Sequence, residues 1–242
     1  MLRRRQLGEH DRALAILTLE EGRMEAIARG ARKAGSRLTG ISEPLFRARM
    51  TLVRTKKNYY VTQAQPLQSF RKLREDYERL SFALAVTELF AEVLPEHHAE
   101  PTAYDLLLKT MEALETHEKP YCVSCWCQMK LMQITGYQPV LGESVVTGEP
   151  IRQANALVSP EAGGYLEPDN AGQYRDKFLV KAEVLNILSK LPSLEEPPPN
   201  FKFGTECLQA IFPFWVHIIH KRLPANEALL AELRSDENQR VQ

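Results

Sequence analysis

The hydrophobic rhythm of this chain changes at Phe70, and that change constrains the fold more than any single motif. Before it, apolar residues alternate with polar ones; after it, they recur every three to four positions. In "FRARMTLVR" the alternation sets Phe46, Ala48, Met50 and Leu52 on one face and Arg47, Arg49, Thr51 and Val53 on the other. "ALAILTL" and "MEAIARG" read as strands joined by "EEGR", a turn carrying Gly22. "PLFRARMTLVRT" and "YYVTQAQPL" flank "KKN" as a second hairpin, and "LRRRQL" supplies a fifth strand. Five strands over residues 1–70, joined by tight turns and one basic loop, suit a small closed OB-fold barrel, the oligonucleotide-binding kind.

Beyond Phe70 the pattern is helical. "FRKLREDYERLSFALAVTELFAEVL" places Leu73, Tyr77, Leu80, Leu84 and Leu89 on one apolar stripe. "PTAYDLLLKTMEALETH" opens on Pro101, a favoured first helical position, and "PYCVSCWCQMKLMQITG" stops at Gly136. Residues 137–175 are glycine-rich and show little periodicity. Helical patterns return in "DKFLVKAEVLNILSKL" and "TECLQAIFPFWVHIIHKRL", and the polar tail from about Ala225 is expected to fray. The expected class is therefore α+β, with a barrel over 1–70 and a helical domain over 71–242.

Charge is distributed unevenly. The 31 basic and 31 acidic residues cancel, yet residues 1–57 hold 14 basic against 6 acidic ones, and the remainder holds 17 against 25. A basic module of this kind points to a polyanion. No run of eighteen apolar residues suggests a membrane span, and "MLRRRQLGEH" lacks the apolar core of a signal peptide. Four cysteines do not suggest a disulfide framework, so a reducing cytoplasm is the expected compartment.

Within the basic module, "IARGARKAGSRLTG" holds Arg29, Arg32, Lys33 and Arg37 with no acidic residue among them. Its glycines, at 30, 35 and 40, match no nucleotide-phosphate cradle, and no bulky amphipathic helix accompanies it for a lipid surface. A nucleic-acid backbone fits best, because Lys and Arg neutralise phosphates and release counterions. Arg54, Lys56 and Lys57 on the second hairpin extend the candidate patch. Tyr59 and Tyr60 offer stacking surfaces beside it, whereas Phe46 and Phe70 read as barrel core. The competing reading is a solvated basic loop that merely aids solubility.

Other chemistries find little support. Cys122 and Cys125 form a CxxC, but zinc needs four ligands, and the distant Cys207 stands alone, so buried helix cysteines are expected. His217 and His220 lack a third ligand at suitable spacing, and His97 with His98 is less informative still. Neither a GxSxG elbow nor a triad signature occurs, and nothing argues for an enzyme, a metal or a cofactor.

"LRRRQLGEHDRALAILTLEEGRMEAIARGARKAGSRL", "ISEPLF", "LREDYERLSFALAVTEL", "LLLKTMEALE", "MKLMQITGYQPVL" and "SPEAGGYL" together resemble the bacterial recombination mediator family RecO across nearly the whole chain. Many members begin several residues earlier, so either a shortened first strand or a start that lies further upstream is expected. The resemblance implies an OB-fold barrel, a helical domain and, at about 140–175, a small zinc-finger-like insert that here has lost its metal ligands. The family's two cysteine pairs fall on "SVVT" and "EPDN", where Ser144, Thr147, Glu167 and Asn170 stand. It further implies a non-catalytic mediator that binds single- and double-stranded DNA, anneals complementary strands and works with RecR to load RecA. The implied docking partner on the helical domain is the C-terminal tail of single-stranded DNA-binding protein, with Lys130, Lys177 or Lys181 meeting its carboxylate. The alternative is a structural adaptor with weakened DNA binding; a hydrolase on the same architecture is the remotest reading.

Overall fold

The computed structural model describes residues 1–240 of the chain. They form two compact units, one covering Met1–Glu115 and the other starting at Thr116.

The first unit is built on strands β1 (Arg3–Leu7), β2 (Asp11–Thr18), β3 (Gly22–Ala28), β4 (Arg47–Arg54) and β5 (Tyr59–Gln68), with one helical turn, α1 (Leu38–Ile41), between β3 and β4. Their order in the sheet is β1-β2-β3-β5-β4, antiparallel except where β3 meets β5 over Ala26↔Tyr59 and Ile27↔Tyr60. Strand β4 keeps the expected alternation: Arg49, Thr51 and Val53 face solvent while Met50 and Leu52 pack inward. The core they join holds Leu14, Ile16, Met24, Ala26, Ala28, Ala31 and Val61. At one end the outer strands are drawn together, since the Met1 amine donates to Phe46 O at 3.0 Å and Leu45 N donates to Met1 O at 3.0 Å.

Three helices complete this unit: α2 (Arg71–Glu75), α3 (Tyr77–Val93) and α4 (Pro101–Thr116). The single stripe expected from Phe70 is corrected here. Asp76 is extended (φ −119°, ψ 116°) and caps a new helix, its carboxylate accepting from Arg79 N at 3.1 Å. The break shifts the helical register, so Tyr77 is 72% exposed, and Leu80 and Leu84 are only half-buried. Leu73 and Leu89 are buried as expected, and Phe82, Ala83, Ala85, Val86 and Phe90 join them, all fully enclosed.

In the second unit, α5 (Pro120–Ile134) is apolar nearly all round and buried accordingly. Its polar groups are satisfied internally: Trp126 Nε1 donates to Leu194 O at 3.0 Å, and Gln128 Oε1 accepts from Trp215 Nε1 at 2.8 Å. Trp215 lies on α7 (Gly204–Ile219), which follows α6 (Ala182–Lys190). "DKFLV", expected to begin a helix, is instead strand β9 (Phe178–Lys181), with α6 starting only at Ala182. The tail expected to fray forms α8 (Pro224–Arg240), anchored by buried Leu229 and Leu230.

The aperiodic stretch folds as a second sheet. Strands β6 (Val140–Ser144), β7 (Asn155–Ser159) and β8 (Gly164–Leu166) join β9 in the order β6-β8-β7-β9, with β6 and β8 parallel. A Cβ on Gly164 would lie 2.0 Å from Val140 O, so only glycine allows this strand approach. Segments of three to five residues are too short to display an alternation, which is why no strand signal is legible there.

Candidate nucleic-acid interface

Sheet topology places the candidate basic residues. β3 and β4 flank β5, pairing Ala26 and Arg54 with Tyr59, and Ile27 and Val53 with Tyr60. Arg29 emerges just past the end of β3, and its guanidinium carbon sits 4.3 Å from the centre of the Tyr60 ring. Arg54, at the end of β4, lies 5.7 Å from the Tyr59 ring. Both are guanidinium–aromatic contacts that hold a planar cation beside an aromatic face. Lys56 and Lys57 occupy the hairpin tip, which Thr55 closes by donating N and Oγ1 to Asn58 O, both at 2.8 Å. Arg29 and Arg54 are thus set against two adjacent tyrosines, with Lys56 and Lys57 at the hairpin tip that precedes them.

Arg32, Lys33 and Arg37 follow in the loop that leaves β3, and this loop is a chain of turns rather than a free tether. Gly30 and Gly35 take positive φ (64° and 74°), as the turns require. Gly30 N donates to Asp11 Oδ1 at 2.8 Å, Arg32 N to His10 O at 2.9 Å, and Thr39 Oγ1 to Ala31 O at 2.8 Å. Arg32 is also spent in part on structure, its Nη1 donating to Glu9 O at 2.8 Å.

Ion pairing divides the basic residues of this module. Arg3 meets Glu92 at 2.7 Å, Arg4 meets Glu43 at 2.9 Å and Arg5 meets Glu25 at 3.4 Å. Buried Arg12 meets Glu43 at 3.1 Å and donates to Ser42 Oγ at 2.6 Å, and Arg23 meets Glu96 at 3.2 Å. Each arginine of the most basic run, "RRR", therefore has a carboxylate partner within the unit, Glu43 being shared with Arg12. By contrast, Arg29, Arg32, Lys33, Arg37, Arg54, Lys56 and Lys57 are all exposed, and among the described residues none takes part in an ion pair. Arg49, exposed on β4 and likewise without an ion pair among the described residues, is a further exposed cation that the outward half of the strand alternation signals. Phe70 is buried, and Phe46 is half-buried beneath Arg74, 5.3 Å from its ring, so neither offers a free stacking face.

Elsewhere the candidates resolve differently. Cys207 does not stand apart: α7 brings it near Cys122 and Cys125 of α5, where Cys125 Sγ approaches Gly204 O at 4.0 Å. All four cysteines are buried, and burial pushes the Cys122 thiol up to about 11 and Cys125 well above its ordinary value. Such thiols stay protonated, which suits packing rather than metal ligation. His220 ends α7 in the left-handed region, with its ring 5.7 Å from that of His217. Each lysine considered for a peptide carboxylate is already engaged: Lys130 with Pro192 O at 3.0 Å, Lys177 with Ala171 O at 2.9 Å and Lys181 with Glu206 at 3.4 Å.

The four positions of the implied zinc module do converge, but they do not fit zinc. Ser144 and Thr147 present hydroxyls, and Asn170 turns its Nδ2 donor toward Glu167 Oε2 at 3.0 Å. Structural zinc calls for thiolate or imidazole acceptors around a cation, whereas the centre of this cluster is a carboxylate oxygen.

Residues 1–70 match the family model for the Recombination protein O N terminal, and residues 74–226 match that for the Recombination protein O C terminal. The chain belongs to the recombination protein O family. It is similar to the DNA repair protein RecO of Heliobacterium modesticaldum, with 33% identity over 81% of this chain and 72% of that one. The DNA repair protein RecO of a Roseiflexus species is 35% identical over 80% of this chain and 68% of its own length. That of Symbiobacterium thermophilum is 32% identical over 79% and 77%. No helix among the described residues is long and apolar enough to cross a membrane.

Proposed function

We propose that the chain is a DNA-binding recombination mediator in recombinational repair, acting as an adaptor rather than an enzyme. The observation that carries this reading is the set of exposed cations without ion pairs on and beside the strands that carry Tyr59 and Tyr60, in a module where Arg3, Arg4, Arg5, Arg12 and Arg23 are ion-paired. The strand order β1-β2-β3-β5-β4, with its parallel β3–β5 contact, supports an OB-fold barrel over residues 1–70. On that barrel Arg29, Arg32, Lys33, Arg37, Arg54, Lys56 and Lys57 meet phosphates, arginine as a planar fork and lysine as a point charge. Residues 71–242 act as the helical domain and carry the metal-free insert at about 140–175.

Family membership supports the finer assignments: binding of single- and double-stranded DNA, annealing of complementary strands, and cooperation with RecR to load RecA on strands covered by single-stranded DNA-binding protein. The protein works in the cytoplasm, at the nucleoid during repair. Titrating a fluorescent single-stranded oligonucleotide across a salt series tests the reading. Affinity is expected to fall linearly in log–log form, by about 0.7 in slope for each phosphate neutralised. Salt-insensitive or absent binding favours the alternative, a structural protein–protein adaptor with weakened DNA binding.

A further inference from the structure

Parallel strands leave a sheet at the same end. β6 and β8 are parallel neighbours, with Ser144 in register with Tyr165, so the turns that follow them emerge side by side. The first turn runs through Ser144, Val145, Val146 and Thr147; the second is a 3₁₀ turn at Pro168–Asn170, preceded by Glu167. Each turn contributes two polar side chains three residues apart.

All four meet at one atom. Glu167 Oε2 accepts from Ser144 Oγ at 3.2 Å, from Thr147 Oγ1 at 2.9 Å and from Asn170 Nδ2 at 3.0 Å. Outside this centre the hydroxyls act as acceptors: Ser144 Oγ takes Val146 N at 3.2 Å and Thr147 N at 3.3 Å, and Thr147 Oγ1 takes Glu149 N at 3.2 Å. The backbone amides thus point at the hydroxyls, and the hydroxyls point at the carboxylate. Hydrogen bonds to an ionised acceptor are roughly twice as strong as neutral ones, and Ser144 is buried, at 3% exposure. The arrangement has the connectivity of a metal centre with its polarity reversed, an anion surrounded by donors.

We infer that Ser144, Thr147, Glu167 and Asn170 form a metal-free, anion-centred staple that pins the two turns of the second sheet. A cation at this point would face two hydroxyl protons and an amide N–H₂, and its entry would break three hydrogen bonds. The staple therefore needs no metal and is indifferent to chelators. Asp176 serves the opposite end of the sheet in a similar manner, accepting from Ser159 Oγ at 2.5 Å and Glu161 N at 2.7 Å.

Hydrogen exchange on the full chain, with and without a chelator, and elemental analysis of the purified protein test the inference together. In Glu167→Ala the amides of Val146, Thr147 and Glu149 are expected to exchange about tenfold faster, while those of β2 and β3 keep the wild-type rate. In the wild type, chelator is expected to change nothing and zinc to stay far below one per chain. Should Glu167→Ala fail to fold, Thr147→Val removes one donor at constant shape and is expected to speed the Glu149 amide about threefold. Wild-type exchange accelerated by chelator, stoichiometric zinc, or unchanged amides in the variant that folds overturns the staple.

Discussion

The loop after β3 and the turns after β6 and β8 look alike as sequence, both rich in glycine and polar residues and poor in periodicity, yet their polar groups meet opposite fates. In the insert, Ser144, Thr147, Glu167 and Asn170 satisfy one another. On the basic face, Arg29, Arg54, Lys56 and Lys57 are held in place by strand ends, a tight turn and tyrosine rings, and their charge stays available. The same division runs through the arginines of one unit, where Arg3, Arg4 and Arg5 are paired. Residue type does not separate the two sets. What separates them is charge that the fold positions and leaves unmatched.

That comparison can be broken at its paired side first. Arg12→Ala leaves Glu43 without its buried partner and strips Ser42 Oγ and Thr39 O of a donor. Glu43 keeps Arg4, so the cost comes mainly from the lost hydrogen bonds of the buried guanidinium, about 2 to 3 kcal/mol, and a clear drop in the denaturant midpoint is expected. The salt slope of DNA binding should stay put in whatever fraction remains folded. A slope that falls with Arg12 would show that pairing does not withdraw a cation from binding.

The second test sharpens the unpaired side. Tyr60→Ala removes the ring beside which Arg29 rests. A loss of about 1 kcal/mol in single-strand affinity is expected as Arg29 loses the ring that orients it, read by fluorescence anisotropy. Tyr60→Phe, which keeps the ring, should bind as the wild type does. Equal losses in both variants would assign the effect to the hydroxyl and contradict a role for the ring in holding Arg29. The smallest effect belongs to Arg5→Ala, whose exposed pair with Glu25 at 3.4 Å should contribute at most about 0.5 kcal/mol to stability, with DNA affinity nearly unchanged.

Much of this was legible beforehand. The alternation of "FRARMTLVR", the Gly22 turn and the "KKN" hairpin tip identify the strands, and family resemblance gives their arrangement. Three things were not legible, each for a tertiary reason. The helix break at Asp76 depends on a cap that interrupts a pattern apolar on both sides. The second sheet is built from strands too short to show a period. The neutralisation of "RRR" requires Glu92, 89 residues from Arg3, and no local reading could distinguish that run from the loop cations. Charge counting therefore points to a module but cannot separate its ion-paired arginines from its unpaired ones.

Two triple variants that remove equal charge from the same unit test the central claim most directly. One is Arg29→Ala, Arg54→Ala and Lys57→Ala; the other is Arg3→Ala, Arg4→Ala and Arg5→Ala. Single-stranded oligonucleotide affinity is measured for both across a salt series. Removal of the unpaired set is expected to flatten the slope of log affinity against log salt by about two units, whereas removal of the paired set should leave it close to the wild-type value. Equal flattening by the two variants would show that net charge alone governs binding, and would contradict the account.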